Sequence, residues 1–199
     1  MRALPATTAA PTAPKSQFYA DLAQQAAALI EGERNWVTNT ANVSALVYHA
    51  LRDRDLAVRG QETIAKTGTV NWVGFYVKDK AAPPAKKGVA GVPLTLGPFQ
   101  GKIACTKIPP GKGVCGAAAA RAESVVVEDV HDFPGHIACD ALTNSEVVVP
   151  LVLPTSGQVI GVFDLDCEAR HGFDHDDARG LEKIARLVLD ACDWTPVLA

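Results

Sequence analysis

Two runs late in the chain, Ser145–Leu153 and Val159–Asp166, restrict the fold more than any other feature. Both are dense in β-branched residues, the composition of a strand. A turn at Pro154-Thr-Ser-Gly157 joins them. So short a link makes the pair antiparallel, because a parallel crossover needs about a dozen residues or more. Val70–Val77 reads as another strand, with Trp72 and Tyr76 on one face and Val73, Phe75 and Val77 on the other. Val92–Leu96 is its expected hairpin partner, and Ile103–Ile108 and Val125–Val127 are expected short strands.

Helical signals lie outside this block. Ser16 is expected to cap a helix with Phe18, Leu22, Ala26 and Leu29 on one stripe, ended by Gly32. Asn35 is expected to cap a second, burying Val43, Leu46, Val47, Ala50 and Leu51. Val114–Ala122 is a short helix, and Asp174 caps a closing one that buries Leu181, Ile184, Leu187, Val188 and Ala191. Two helices, then strands joined by hairpins, then a helix describe an α+β domain on an antiparallel sheet. Residues 1–15, mostly Ala, Thr and Pro, read as a disordered arm before a domain over 16–199. Lys78–Gly91 reads as an exposed connection.

A length of 199 residues with 48% apolar content suits one well-cored domain. The net charge of −3 gives no general attraction to nucleic acid or an anionic membrane. No apolar run approaches the ~20 residues of a membrane helix, and the N-terminus lacks the pattern of a secretory leader. A cytoplasmic protein is expected. Five cysteines, at 105, 115, 139, 167 and 192, are then catalytic, metal-binding or inert rather than staples.

Three chemistries compete for the central segment. Gly111-Lys-Gly113-Val-Cys-Gly116 fits the dinucleotide fingerprint, but that motif needs a parallel βαβ unit, and the neighbouring strands read as antiparallel. Cys105, Cys115, His136 and Cys139 could supply four zinc ligands, although no short-spaced cysteine pair anchors the set. The same three cysteines sit in Gly- and Pro-broken polar segments, where a reactive thiolate would be partly exposed. Cys167 and Cys192 suit inert positions. Asp164 and Asp166 point to one side of their strand, and Glu146 opens another. They are either solvated acids on an open face or a crowded set that keeps one carboxyl protonated. His131 and His136 read as loop hydrogen-bonders or as ligands.

Asn71-Trp-Val-Gly-Phe-Tyr76, Gly97-Pro-Phe-Gln-Gly101, Gly113-Val-Cys-Gly116, Asp129-Val-His131, Phe133-Pro-Gly-His-Ile-Ala-Cys-Asp140, Asn144-Ser-Glu146 and Asp164-Leu-Asp166 together resemble the free methionine-(R)-sulfoxide reductases, over residues 17 to 192. The resemblance implies a GAF domain: a six-stranded antiparallel sheet flanked by helices, with a small buried pocket. It implies Cys139 as nucleophile, Cys105 as resolving cysteine and Cys115 in recycling. It matches Trp72, Glu146, Asp164 and Asp166 to pocket residues; of these Glu146 and Asp164 are the first candidates for a proton donor, with Trp72, Tyr76 and Asp166 expected at the substrate. No metal or organic cofactor is implied. The implied partners are free methionine (R)-sulfoxide, a thioredoxin-like reductant and a second copy of the chain. A GAF sensor that binds a small ligand without turnover is the alternative, and a zinc-bound structural domain is the third.

Overall fold

The computed structural model describes residues 10–83, 86–137 and 139–198. Its helices are α1 (Lys15–Ile30), α2 (Trp36–Arg59), α3 (Gln61–Thr67), α4 (Gly113–Arg121), α5 (His175–Ala191) and α6 (Thr195–Leu198). Its strands are β1 (Val70–Lys78), β2 (Leu94–Gly101), β3 (Lys107–Ile108), β4 (Val125–Val127), β5 (Ser145–Val152) and β6 (Val159–Cys167). Among the described residues the six strands form one sheet in the order β3-β2-β1-β6-β5-β4, with every neighbouring pair antiparallel. The parallel unit required by a dinucleotide fingerprint is therefore missing around Gly111–Gly116. No helix among the described residues is long and apolar enough to cross a membrane.

The alternation of each strand divides the core in two. Val73, Phe75 and Val77, Val147, Val149 and Leu151, and Phe163 and Leu165 face a layer built from α1, α2 and α5. Trp72, Tyr76, Val148 and Val162 face the other way, under α4 and the loops. Asn35 caps α2 by accepting from the Val37 and Thr38 N–H groups, and Asp174 and Asp177 form a capping box on α5.

Several boundaries differ from expectation. Helix α1 starts at Lys15 after Pro14, with no side-chain cap, so Ser16 lies inside it. The Pro11 and Ala13 carbonyls accept from Arg54; residues 1–9 of the expected arm lie outside the described residues. Strand β2 runs to Gly101, because a register shift opposite Phe75 absorbs Gly97-Pro98, which in sequence looks like a break. Strand β3 is only two residues long, and Ile103 is 90% exposed. The backbone before β3 bonds elsewhere: the Cys105 carbonyl accepts from the Tyr76 hydroxyl at 3.0 Å. Helices α3 and α6 and a 3-10 turn at Val130–Asp132 were not foreseen.

Candidate active site

Sheet register assembles the floor of the site. Asp166 pairs with Trp72 on one side and Glu146 on the other, so three residues from three strands stand in one row. In the next row on the same face, Asp164 stands between Gly74 and Val148. Gly74 is needed there, since a Cβ at that position would come within 2.5 Å of the Trp72 ring. The indole lies folded over the strand and stacks on Phe99 at 5.3 Å and Tyr76 at 5.7 Å.

Three further segments make the walls. The start of α4 contributes Lys112, Gly113, Val114 and Cys115, the loop before β3 contributes Ala104, and the loop before β5 contributes Ile137, Cys139, Asp140 and Thr143. Together they enclose a cleft of about 470 Å³, counted out to its mouth. A disulfide joins Cys105 to Cys139, with their Cα atoms 5.4 Å apart. Asn71 ties the Cys139 loop to β1: its Nδ2 donates to Asp140 Oδ2 at 3.1 Å and to Thr143 Oγ1 at 3.2 Å. Asp140 also accepts from the Leu142 N–H and lies 3.8 Å from Lys102 Nζ on the opposite loop.

The floor is acidic. Glu146 and Asp164 are buried, which removes the solvated-face reading. Burial holds the Glu146 carboxyl well above the usual range, and the neighbouring charges of Asp164 and Asp166 push the same way. Burial lifts Asp164 to about 7. Asp166 is raised by burial, then by the charges of Asp164 and Asp140. His136 lies 3.7 Å from Glu146, and burial, then the neighbouring His131, lowers its pKa. Carboxyls held neutral inside a cleft can act as proton donors near neutral pH.

The cysteines divide by environment. Cys139 is exposed and Cys105 half-buried, in line with accessible thiols. Cys115 corrects the expectation of a polar, partly exposed thiol: it is only 3% exposed, on the inner face of α4. Burial, then the charges of Asp164 and Glu146, raise its pKa well above that of a free thiol. It is a neutral S–H that donates to Glu146 Oε1 at 3.9 Å. Cys167 and Cys192 are buried in the opposite layer, where each sulfur accepts one N–H hydrogen bond. The four-residue zinc set weighed as an alternative is not available in this form, since two of its members are bonded to each other.

Trp72, Tyr76, Glu146, Asp164 and Asp166 all line the cleft, as do Cys115 and Cys139. The Tyr76 hydroxyl is engaged by the Cys105 carbonyl, so what it offers the cleft is ring surface. Sequence reasoning gave no role to Asn71, Asp140 or Thr143. The first two lie inside the quoted motifs, but only the fold shows that they meet.

The curled sheet, the helical layer behind it and the capped cleft define a GAF domain, and a family profile described as GAF domain matches residues 53–193. The free methionine-R-sulfoxide reductase of Saccharomyces cerevisiae is 44% identical over 164 residues, spanning 82% of this chain and 79% of that protein. The free methionine-R-sulfoxide reductase of Escherichia coli is 43% identical over 170 residues, 85% and 86% of the two chains. A solved structure of free methionine-R-sulfoxide reductase from Neisseria meningitidis, in complex with its substrate, superimposes with a TM-score of 0.73 at 36% identity, covering 90% of this chain and 91% of that one. The chain belongs to the free methionine-R-sulfoxide reductase family.

Proposed function

We infer that this protein is an oxidoreductase that reduces free methionine (R)-sulfoxide to methionine. The observation that carries the reading is the Cys105–Cys139 disulfide at the edge of a small cleft floored by buried carboxyls. A ligand sensor of the same fold needs the pocket but has no use for a bonded thiol pair beside it.

The Cys139 thiolate attacks the sulfoxide sulfur. The oxygen leaves that sulfur only if it gains a proton, and Glu146, neutral in its buried setting, is the donor, with Asp164 next in line. As the S–O bond breaks, the oxygen passes as hydroxide to the Cys139 sulfur, the S–S bond made in the attack breaks with its electron pair going to the departing methionine, and Cys139 is left as a sulfenic acid. The Cys105 thiol displaces that oxygen as water, closing the disulfide. Two thiols have then given up two electrons, matching the two-electron reduction of the sulfoxide. Asp164 and Asp166, when ionised, hold the substrate ammonium. Trp72 and Tyr76 give the S-methyl group an apolar wall, and N–H groups at the glycine-rich start of α4 receive the carboxylate. The cleft is walled by the start of α4 and by the two cysteine loops over the strand floor, and that enclosure supports selectivity for the free amino acid.

A thioredoxin-like dithiol protein reopens the disulfide by exchange. Exposed Ile103, Ile137 and Leu142 flank the two cysteines and provide an apolar landing surface for it. Cys115, a neutral thiol in the same cleft, serves in recycling. The working form is a cytoplasmic homodimer whose GAF domain begins with α1 at Lys15.

The deciding experiment incubates the protein with separated sulfoxide epimers, free and peptide-bound, and measures methionine release. Release from the free (R) epimer alone is expected; equal release from the (S) epimer or from a peptide refutes the reading.

A further inference from the structure

The cleft contains a donor set that the reduction cycle does not employ as a unit. Cys115 Sγ, a Glu146 oxygen and an Asp164 oxygen lie within 4.8 Å of one another, and all three residues are buried. They come from α4, β5 and β6, so the fold alone brings them together. Cys115 is outside the disulfide. Asp164, 5% exposed, is hydrogen-bonded to Cys115 and Glu146 within the cluster, and its Oδ1 has no partner. A buried acceptor left unpaired is costly unless something occupies the space beside it. His136 Nε2, 3.7 Å from Glu146, adds an imidazole at the rim.

We propose that Cys115, Glu146 and Asp164, with His136 as a fourth donor, bind a zinc-type divalent ion, and that this ion excludes the sulfoxide substrate from the cleft. Thiolate, carboxylate and imidazole form a donor set typical of zinc. Donors held about 2.0–2.3 Å from one ion lie within about 4 Å of each other, so modest side-chain shifts close the Cys115, Glu146 and Asp164 set, and His136 joins it by swinging in from the rim beside Glu146. The site differs from the four-residue set suggested by the sequence: it keeps Cys115 and His136 but replaces the disulfide cysteines with two carboxylates. It can therefore load while the enzyme is oxidised, with Cys115 as the free thiol at the cleft among the described residues.

Cadmium is the probe, because its bond to a thiolate gives an ultraviolet charge-transfer band. Titrating the full-length protein in its disulfide form is expected to give a band that saturates at one equivalent. Cys115→Ser removes it, whereas Cys167→Ser, which changes a buried thiol in the opposite layer, leaves it. Asp164→Asn keeps the side-chain shape and weakens cadmium binding by about 10-fold or more, and it keeps the test decisive if Cys115→Ser does not fold. No band in the disulfide form, a band that survives Cys115→Ser, or unchanged affinity in Asp164→Asn overturns the site. The exclusion clause rests on the reductase reading and is read separately. In the Cys105→Ser/Cys139→Ser double variant, which cannot turn over, excess free (R)-sulfoxide is expected to bleach the cadmium band. A band that persists overturns exclusion while leaving the metal site standing.

Discussion

Asp164→Asn separates the electrostatic cost of the cleft from its packing. In the folded protein burial raises Asp164 from 3.8 to about 7. The native state therefore holds a proton that the unfolded chain has already released across that interval. Stability falls as pH rises through it, the reverse of the ordinary ion-paired carboxylate. At about 1.4 kcal/mol per pH unit, the full penalty is about 4 kcal/mol once Asp164 is ionised. Because Glu146 and Asp166 share the same field, about 2–4 kcal/mol is the fair expectation. Asparagine copies the shape of the neutral acid and cannot ionise. Urea unfolding of both disulfide-form proteins between about pH 4 and pH 8.5 reads the difference directly. Near pH 4 the two curves lie close together; above the native pKa the variant is the more stable. Parallel profiles, or a wild type that gains on the variant as pH rises, would refute the claim that this carboxyl is held neutral by burial.

Cys139→Ser removes the proposed nucleophile, and methionine release from the free (R)-sulfoxide should fall to background, because an un-ionised alcohol is a weak nucleophile. Cys105→Ser should release one equivalent of methionine per protein and then stall; normal cycling with a dithiol protein would move the resolving role to Cys115. Ile103→Asp places a charge on the exposed rim, so it should raise the KM for a thioredoxin-like reductant several-fold while leaving turnover with a small dithiol intact. Gly180→Ala tests the helical layer behind the sheet: the new Cβ would lie 2.1 Å from the Tyr19 ring, so α1 must move off α5. The expected loss is about 1–3 kcal/mol in thermal or urea unfolding, with the cleft chemistry retained in the folded fraction.

What the sequence disclosed about this molecule follows from periodicity. A spacing of two places Trp72 with Tyr76 and Asp164 with Asp166 whatever the partner strands do, and a tight turn makes β5 and β6 antiparallel neighbours. Periodicity says nothing about register, and register is what brings Glu146 level with Asp166 and Asp166 level with Trp72. It is also silent on pairings between loops: the Cys105–Cys139 bond spans 34 residues, and a hydroxyl on β1 and an amide from the same strand hold the two loops that carry it. Gly97-Pro98 misled by local propensity alone, since a register shift lets both stay within β2. Cys115 misled for a related reason: the Gly- and Pro-broken segment around it suggested a partly exposed thiol, whereas Gly113 at φ 63° is where the chain turns into α4 and carries the thiol inward.

These failures concentrate around the cleft. Elsewhere, local preference and tertiary burial agree: apolar stripes on α1, α2 and α5 meet the apolar face of the sheet. At the cleft they conflict, because aspartate and glutamate occupy strand positions that burial would ordinarily give to valine. Val148 and Val162 fill neighbouring sites on the same face. Three raised carboxyl pKa values and an unpaired Asp164 oxygen are the energetic record of that conflict. A stable domain has no need of such a cluster, and the burial that makes it expensive is also what keeps a proton on it near neutral pH. The same burial raises the Cys115 thiol, whereas Cys139 lies exposed on its loop. Depth in one cleft thus separates protonated acids and a neutral Cys115 on its floor from the Cys105–Cys139 pair at its edge, the division of labour that the proposed cycle requires, and it does so before any substrate arrives.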